Sequence, residues 1–470
     1  MSYILAIDQG TQSTRASILN RAGQVEAQSS LPVAVTRPAN NRVEQDAEIL
    51  AISVEMVIEQ VLDQVPYKIR SSVDCCGIAT QRSTVVSWDT AGKPVSAALN
   101  WQDTRGQDQL VQLQKYAAEI KHCSGLPLSA HYGATKLRWL IENCGNNQGI
   151  KFGPISSFLL YRISDVQTSL VDHANAQRMQ LLDISTRQWS DSLSQLFGVP
   201  IELLPQCCPV CHDFGVLKGL DIPINAMNGD QNAAWFGSGL PEAGTTLVNL
   251  GSGGFILTQQ AAGTGLPDLL STIACSDRAE TSYLMEATVN GCGNALQWLV
   301  EHYQIDDYQV KISPALEQIS EPPIFLNTVG GLGSPWWISG LAPRFLDHSG
   351  ELSESRMIAG VCESILFLIF YNILQIQRVK AISELQLSGG LSKLDLMCQK
   401  LADLSGVQVK RMNQSESTTK GIAWIARGKP ENWAISEYDR FQPEADVGLR
   451  SRFEQFVDQL SRYIEGASSG

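Results

Sequence analysis

Leu5-Ala6-Ile7-Asp8-Gln9-Gly10-Thr11-Gln12-Ser13-Thr14-Arg15-Ala16-Ser17-Ile18-Leu19 decides how this chain is read, because a weaker echo returns near its middle. The echo is Leu247-Val248-Asn249-Leu250-Gly251-Ser252-Gly253-Gly254-Phe255-Ile256-Leu257. Each stretch is an apolar strand, a tight turn of small residues and a second apolar strand, the pattern of a hairpin. Small residues let backbone N–H groups approach an anion closely, and Ser and Thr hydroxyls add donors at little steric cost. Two such tips, one in each half of the chain, suit a grip on a polyphosphate. They predict a duplicated, two-domain phosphotransferase.

The size agrees with duplication. At 470 residues the chain exceeds the roughly 250–300 at which a single core stops growing. Gly237 to Gly244, with Pro241, reads as the boundary between domains 1–240 and 241–470. Thirty-five Lys and Arg against 48 Asp and Glu give a net charge of −13, which argues against nucleic acid or an anionic membrane as a main partner. Met1 runs straight into a strand with no signal-peptide pattern, so a cytoplasmic protein is expected. The apolar run Ser364 to Leu374 is short for a bilayer and follows Glu363; it reads as a buried core helix. Eleven scattered cysteines fit a reducing compartment. Cys208-Pro209-Val210-Cys211-His212 matches a haem-attachment or half-zinc spacing, but it lacks a second ligand pair and reads as packing cysteines in a connecting segment.

Along the chain, strands alternate with helices. Asp46 can cap a helix running through Ile49, Leu50, Val54, Val57, Ile58 and Val61. Cys75 to Thr80 is a buried strand ending in Gln81-Arg82-Ser83-Thr84, and Ile224 to Met227 a strand leading into Gly229-Asp230 and a helix. In the second half a helix follows Asn294, and the strand Leu385 to Leu387 runs into Gly389-Gly390. This order implies an α/β fold with helices covering a sheet.

Asp8, between an apolar strand and a Gly-Thr turn, suits Mg2+ bridged to phosphates through water. A turn-capping role accounts for it equally well on position alone. Asp230 follows a strand at the sheet edge where ligands bind in open α/β folds. There a carboxylate can take the proton of an attacking hydroxyl, although a helix N-cap explains it as well. Gly389-Gly390 permits a flat ligand to lie against bare backbone, or forms an ordinary turn. Arg82 and Trp101 could offer a hydroxyl-binding donor and an apolar wall, or be a salt-bridge residue and a core aromatic.

Taken together these segments resemble the FGGY family of carbohydrate kinases, and glycerol kinases most closely within it. The resemblance spans nearly the whole chain. It rests on Asp8-Gln9-Gly10-Thr11 with Arg15, Val43-Glu44-Gln45-Asp46, Gln81-Arg82, Trp101-Gln102-Asp103, Gly125-Leu126-Pro127, Thr135-Lys136 with Trp139, and Asn175-Ala176. It continues through Gly229-Asp230-Gln231, Gly251-Ser252-Gly253 with Phe255, Gln297-Trp298-Leu299, Gly331 to Pro335 and Gly389-Gly390. It implies two actin-like (ribonuclease H-like) domains around a central cleft, related to hexokinase and the heat-shock chaperone ATPases. The N-terminal domain would bind the sugar or polyol and phosphate, the C-terminal one the nucleotide.

The same resemblance implies ATP and Mg2+ as cofactors. It gives Asp230 the role of catalytic base and has Asp8 and Asp230 hold the metal. Thr11, Ser13, Arg15, Gly251 and Ser252 would line the phosphates, and Gly293, Gly389 and Gly390 would border the nucleotide. Arg82, Trp101, Gln231 and Phe255 fall at positions that contact the acceptor. Two acceptor positions depart from glycerol kinases: Ser83 stands where they usually carry Glu, and His131 where they usually carry Tyr. A site that binds hydroxyls discriminates by the partners it offers. The expectation is therefore an ATP-dependent kinase of a small polyol or ketose, with glycerol as the alternative acceptor. An ATP-driven conformational protein on the same scaffold, and a sugar sensor without catalysis, are the competing classes. Homo-oligomerisation is left open by the sequence.

Overall fold

The computed structural model describes residues 2–261, 263–346, 352–412, 416–433 and 437–468. The chain forms two compact units. The first comprises Met1–Pro241, Ser271–Tyr283 and Glu416–Ile435; the second comprises Glu242–Leu270, Leu284–Ser415 and Ser436–Gly470. Each is therefore assembled from several chain segments.

The first unit is built on β1 (Tyr3–Gln9), β2 (Ser13–Asn20), β3 (Val25–Pro32), β4 (Val73–Thr80) and β5 (Ile224–Gly229), in sheet order β5-β4-β1-β2-β3. β1, β2 and β3 form an antiparallel meander, while β4 and β5 lie parallel to β1. Ile4, Leu5, Ala6 and Ile7 are all buried, so β1 reads as a continuous apolar run rather than an alternation. Helix α1 (Ala47–Asp63) packs on β2 and β3 with Leu50, Val54, Val57 and Val61 inward. Asp46 caps it, its carboxylate accepting from the backbone N–H groups of Glu48 and Ile49 at 2.9 and 3.1 Å. The helix Ser417–Ala426 returns late in the sequence to pack on β1 and β4. Its Gly421 is required by contact: a Cβ there would lie 1.8 Å from the Ala233 carbonyl oxygen.

The second unit repeats the plan. β6 (Thr245–Leu250), β7 (Gly254–Gln260), β8 (Thr281–Val289), β9 (Glu384–Ser388), β10 (Val409–Met412) and β11 (Tyr438–Phe441) follow the order β8-β7-β6-β9-β10-β11. β6 and β7 form the hairpin expected from the echo, and β9 and β10 run parallel to β6 and to each other. An antiparallel hairpin whose first strand also starts a run of two further parallel strands thus occurs twice. Helix α2 (Gly293–Tyr303) follows β8. Helix α3 (Glu354–Gln377) is long and apolar enough to cross a membrane, but 89% of its most apolar window is buried in this unit's core. Burial of each such Ile, Leu or Phe contributes about 1.5–3 kcal/mol.

All eleven cysteines are free. Cys208 is buried with its thiol donating to the Val171 carbonyl at 3.4 Å, and among the described residues no group of three or more His, Cys, Asp and Glu is disposed to hold a metal.

Candidate active site

In the first unit three parallel strands end level with one another: Gln9 pairs with Thr80, and Thr80 with Gly229. The residues that follow these strand ends are the Gly10 turn, Gln81-Arg82-Ser83 and Asp230. The Gly10 turn is tight, its N–H donating to the Ser13 carbonyl at 2.9 Å, and it sets Arg15 opposite Asp8 across the hairpin. Asp230 begins a short helix whose N-cap is Gly229, so it is not itself the cap. Its Oδ1 accepts from the Gln231 N–H at 2.7 Å and lies 3.6 Å from Arg82 Nε.

The residues on either side of Asp230 in the chain are anchored. Arg82 Nη1 donates to Asn232 Oδ1 at 3.0 Å, and Asn232 Nδ2 donates to the Ile273 carbonyl at 2.7 Å. On the other side Asn228 Nδ2 donates to the Ala274 carbonyl at 3.0 Å. Burial and the neighbouring Asp230 charge push the Asp8 carboxyl up to about 7, against the pull of Arg15. Asp8 and Asp230 thus lie at the same sheet edge.

A buried amide network fixes the loop carrying Arg82. Gln81 Nε2 donates to Gln45 Oε1 at 2.9 Å and to Gln9 Oε1 at 3.2 Å, while Asn100 Nδ2 donates to Gln45 Oε1 and Gln81 Oε1 at 2.9 and 3.0 Å. Next to Asn100, the Trp101 indole N–H donates to Thr11 Oγ1 at 2.9 Å, tying that ring to the hairpin tip. His131 meets Trp101 edge-on with ring centroids 5.3 Å apart. Beneath both, the fully buried Lys136 donates from Nζ to the His131 carbonyl at 2.7 Å and to the Asn100 carbonyl at 3.3 Å. Burial lowers its ammonium to about 7. Ser83 is buried in the left-handed region at φ 64°, and its Oγ has no hydrogen-bond partner among the described residues. Gln231 Oε1 is likewise buried without one. Gln9, Gln45, Gln81, Asn100, Asn232 and Lys136 carry no chemical signature in isolation, and reasoning from the sequence assigned them no role.

In the second unit the β6–β7 tip is closed by the Gly251 N–H donating to the Gly253 carbonyl at 3.1 Å. The start of α2 docks onto it: the Gly293 N–H donates to the Gly251 carbonyl at 2.9 Å and the Asn294 N–H to the Ser252 carbonyl at 3.0 Å. Gly389 sits beside the end of β6 at φ 93°, where a Cβ would be 2.6 Å from the Leu250 backbone. Gly390 next to it faces open space. Asn249 Nδ2 donates to Ser388 Oγ at 3.1 Å, which fastens the two strand ends together. Gly251, Ser252, Gly293, Gly389 and Gly390 are thus one cluster. Phe255 stands opposite Asn249 on β7 and is half-buried. Asp8, Thr11, Ser13, Arg15, Arg82, Ser83, Trp101, His131, Asp230 and Gln231 all belong to the first unit.

A glycerol kinase from Bdellovibrio bacteriovorus is 32% identical to this chain, over 90% of each sequence. Among solved structures, a Plasmodium falciparum glycerol kinase with ADP superposes with a TM-score of 0.83 at 23% identity, covering 98% of each chain. A xylulose kinase from Rhodospirillum rubrum superposes with a TM-score of 0.85 at 15% identity, covering 99% of each. The fold is the two-domain actin-like fold of these kinases. Residues 3–237 match the N-terminal domain, and residues 247–427 the C-terminal domain, of the FGGY family of carbohydrate kinases. Those matches carry both hairpins, Asp8 and Asp230, and the chain belongs to the FGGY family of carbohydrate kinases, ATP-dependent phosphotransferases with an alcohol group as acceptor.

Proposed function

We propose that the chain transfers the γ-phosphate of ATP to a hydroxyl of a polyol or ketose larger than glycerol. The observation that carries the acceptor assignment is Ser83: a buried hydroxyl without a partner among the described residues, where glycerol kinases usually carry Glu. A larger acceptor fills the space of the missing carboxylate and pairs with the orphan hydroxyl, whereas glycerol leaves it unpaired. His131 against Trp101 forms the adjoining wall, and neutral His offers one donor and one acceptor. Arg82 and Gln231 complete the acceptor's contacts on the first unit in this reading.

Asp230 is the general base. Arg82 Nε lies 3.6 Å from its carboxylate, and Asn228 and Asn232, two residues to either side in the chain, are anchored to the 273–274 carbonyls. Asp8 and Asp230 fit Mg2+, which when bound offsets the negative charge of the phosphates. Thr11, Ser13, Arg15, Gly251 and Ser252 bind the phosphates, and Gly293, Gly389 and Gly390 admit the nucleotide. The first unit holds the acceptor and the second the nucleotide. Glycerol is the second reading, favoured by the identity to glycerol kinases over 90% of the chain. The free thiols suit the reducing cytoplasm.

ATP-to-ADP conversion measured with glycerol, erythritol, ribitol, xylitol, D-xylulose and D-ribulose tests the reading. An acceptor of four or more carbons should give the highest kcat/KM, and Asp230→Asn should lower kcat with it by about 10²–10⁴. Glycerol ranking first refutes the larger acceptor. Turnover that needs no acceptor refutes the kinase assignment itself.

A further inference from the structure

Cys211 and Cys275 lie 64 residues apart in sequence, yet their sulfurs approach to 3.8 Å. Cys211 is half-buried and Cys275 buried, and Lys429, paired with Asp277 at 2.9 Å, adds its positive charge beside them. The backbone already joins the two segments, the Cys211 N–H donating to the Ser276 carbonyl at 2.9 Å. Cys275 also sits in the stretch that seats the proposed base. Thr272 Oγ1 and the Ile273 carbonyl take Asn232, the Ala274 carbonyl takes Asn228, and these two asparagines bracket Asp230.

We propose that Cys211 and Cys275 form a reversible, peroxide-driven disulfide that slows phosphoryl transfer by displacing the seat of Asp230. The Cys211 thiolate attacks one oxygen of hydrogen peroxide, the O–O bond breaks, and the departing hydroxide takes up a proton to leave as water. The Cys275 sulfur then attacks the Cys211 sulfenic acid; the S–O bond breaks, and a second water leaves with the Cys275 proton. Two thiols lose two electrons and one peroxide is reduced to two waters. The Cys275 thiol, donating to Cys211, holds the latter below the ordinary thiol range with help from Lys429, which makes Cys211 the attacking sulfur. To bond, the sulfurs must close to about 2 Å. That pull acts on the backbone between Thr272 and Ser276, and so on the asparagines two residues to either side of Asp230. The kinetic consequence, unlike the bond itself, rests on Asp230 being the base.

The whole chain is treated with hydrogen peroxide and mapped by mass spectrometry without reduction. In parallel, kcat is followed with the acceptor that ranks first in the panel above. The expected result is a loss of about 2 Da confined to a Cys211–Cys275 peptide pair. With it kcat should fall about tenfold or more, since misplacing a reacting group by about 1 Å costs up to ~10²-fold. Dithiothreitol should reverse both, and Cys211→Ser should show neither; Cys275→Ser, which keeps Cys211 but removes its partner, should also show no cross-link. Overturning results are cysteines that remain free or gain only oxygen, a bridge between other cysteines, or the bridge with kcat unchanged. The mass loss is read without turnover and Asp230→Asn tests the base separately, so failure of the disulfide and failure of the catalytic assignment give different results.

Discussion

Asp8 holds its proton to about pH 7, while an unfolded chain releases it near 3.8. Between those values the folded protein binds the extra proton, so stability falls as pH rises from about 4 to about 7. Asp8→Asn removes that loss. Without ligands the variant should match the parent near pH 4 and be more stable at pH 8, on the order of 1–2 kcal/mol after solvent screening. Denaturant titrations at the two pH values measure this, and an Asn variant no more stable at pH 8 counts against the strained carboxylate. Ser83 and His131 are read through specificity instead. Each unmatched hydroxyl contact costs about 1–3 kcal/mol, so two should suppress glycerol by ~10²–10⁴. Ser83→Glu combined with His131→Tyr should then raise kcat/KM for glycerol relative to the larger acceptors, and an unchanged ranking sinks the assignment. At this scale the charged and reactive residues were legible, and their settings were not. Position alone allowed Asp230 to be a helix cap, but the structure gives that place to Gly229. Lys136 gave no sign that its ammonium would be buried against two carbonyls, because that depends on which loops fold over it.

The hairpins, α1 with its Asp46 cap, and the buried α3 were all legible as elements, since each is written in local periodicity and turn chemistry. The Gly389-Gly390 pair shows where local reading stops. Two adjacent glycines read as one turn, yet the structure separates their duties. Gly389 combines φ 93° with Leu250 backbone 2.6 Å from any added Cβ, so Gly389→Ala should cost on the order of 1–3 kcal/mol of stability. Gly390 is clear of protein atoms within 4 Å. Gly390→Ala should therefore melt with the parent while raising KM for ATP, because its methyl group occupies the face proposed for the nucleotide. Thermal melts and steady-state kinetics on the two variants separate the cases. A Gly390→Ala protein with an unaltered KM for ATP would remove Gly390 from the nucleotide site.

Duplication, the reading drawn from two hairpins, extends to a repeated order of hairpin and parallel strands. The chain's returns to the first unit were not legible. Residues 271–283 rejoin it through carbonyls that hold Asn228 and Asn232, and Glu416–Ile435 through the contact of Gly421 with Ala233. Neither attachment has a periodic signal, being a matter of tertiary hydrogen bonds and close approach. The division of labour proposed for the units predicts two separate footprints. In Asp230→Asn protein, where turnover is slowed, the favoured acceptor alone should slow amide exchange around 81–84, 100–103 and 131–136. ADP alone should instead protect 250–254, 293–296 and 388–391. Each ligand at about 100 times its Kd adds about 2.7 kcal/mol of stabilisation to the state that binds it, enough to read in the exchange of its own unit. Both footprints are expected even with transfer slowed, because they depend on binding. Protection by the acceptor confined to 250–254 and 388–391 would reverse the assignment of the two units, and protection by ADP confined to 81–84 would do the same from the other side.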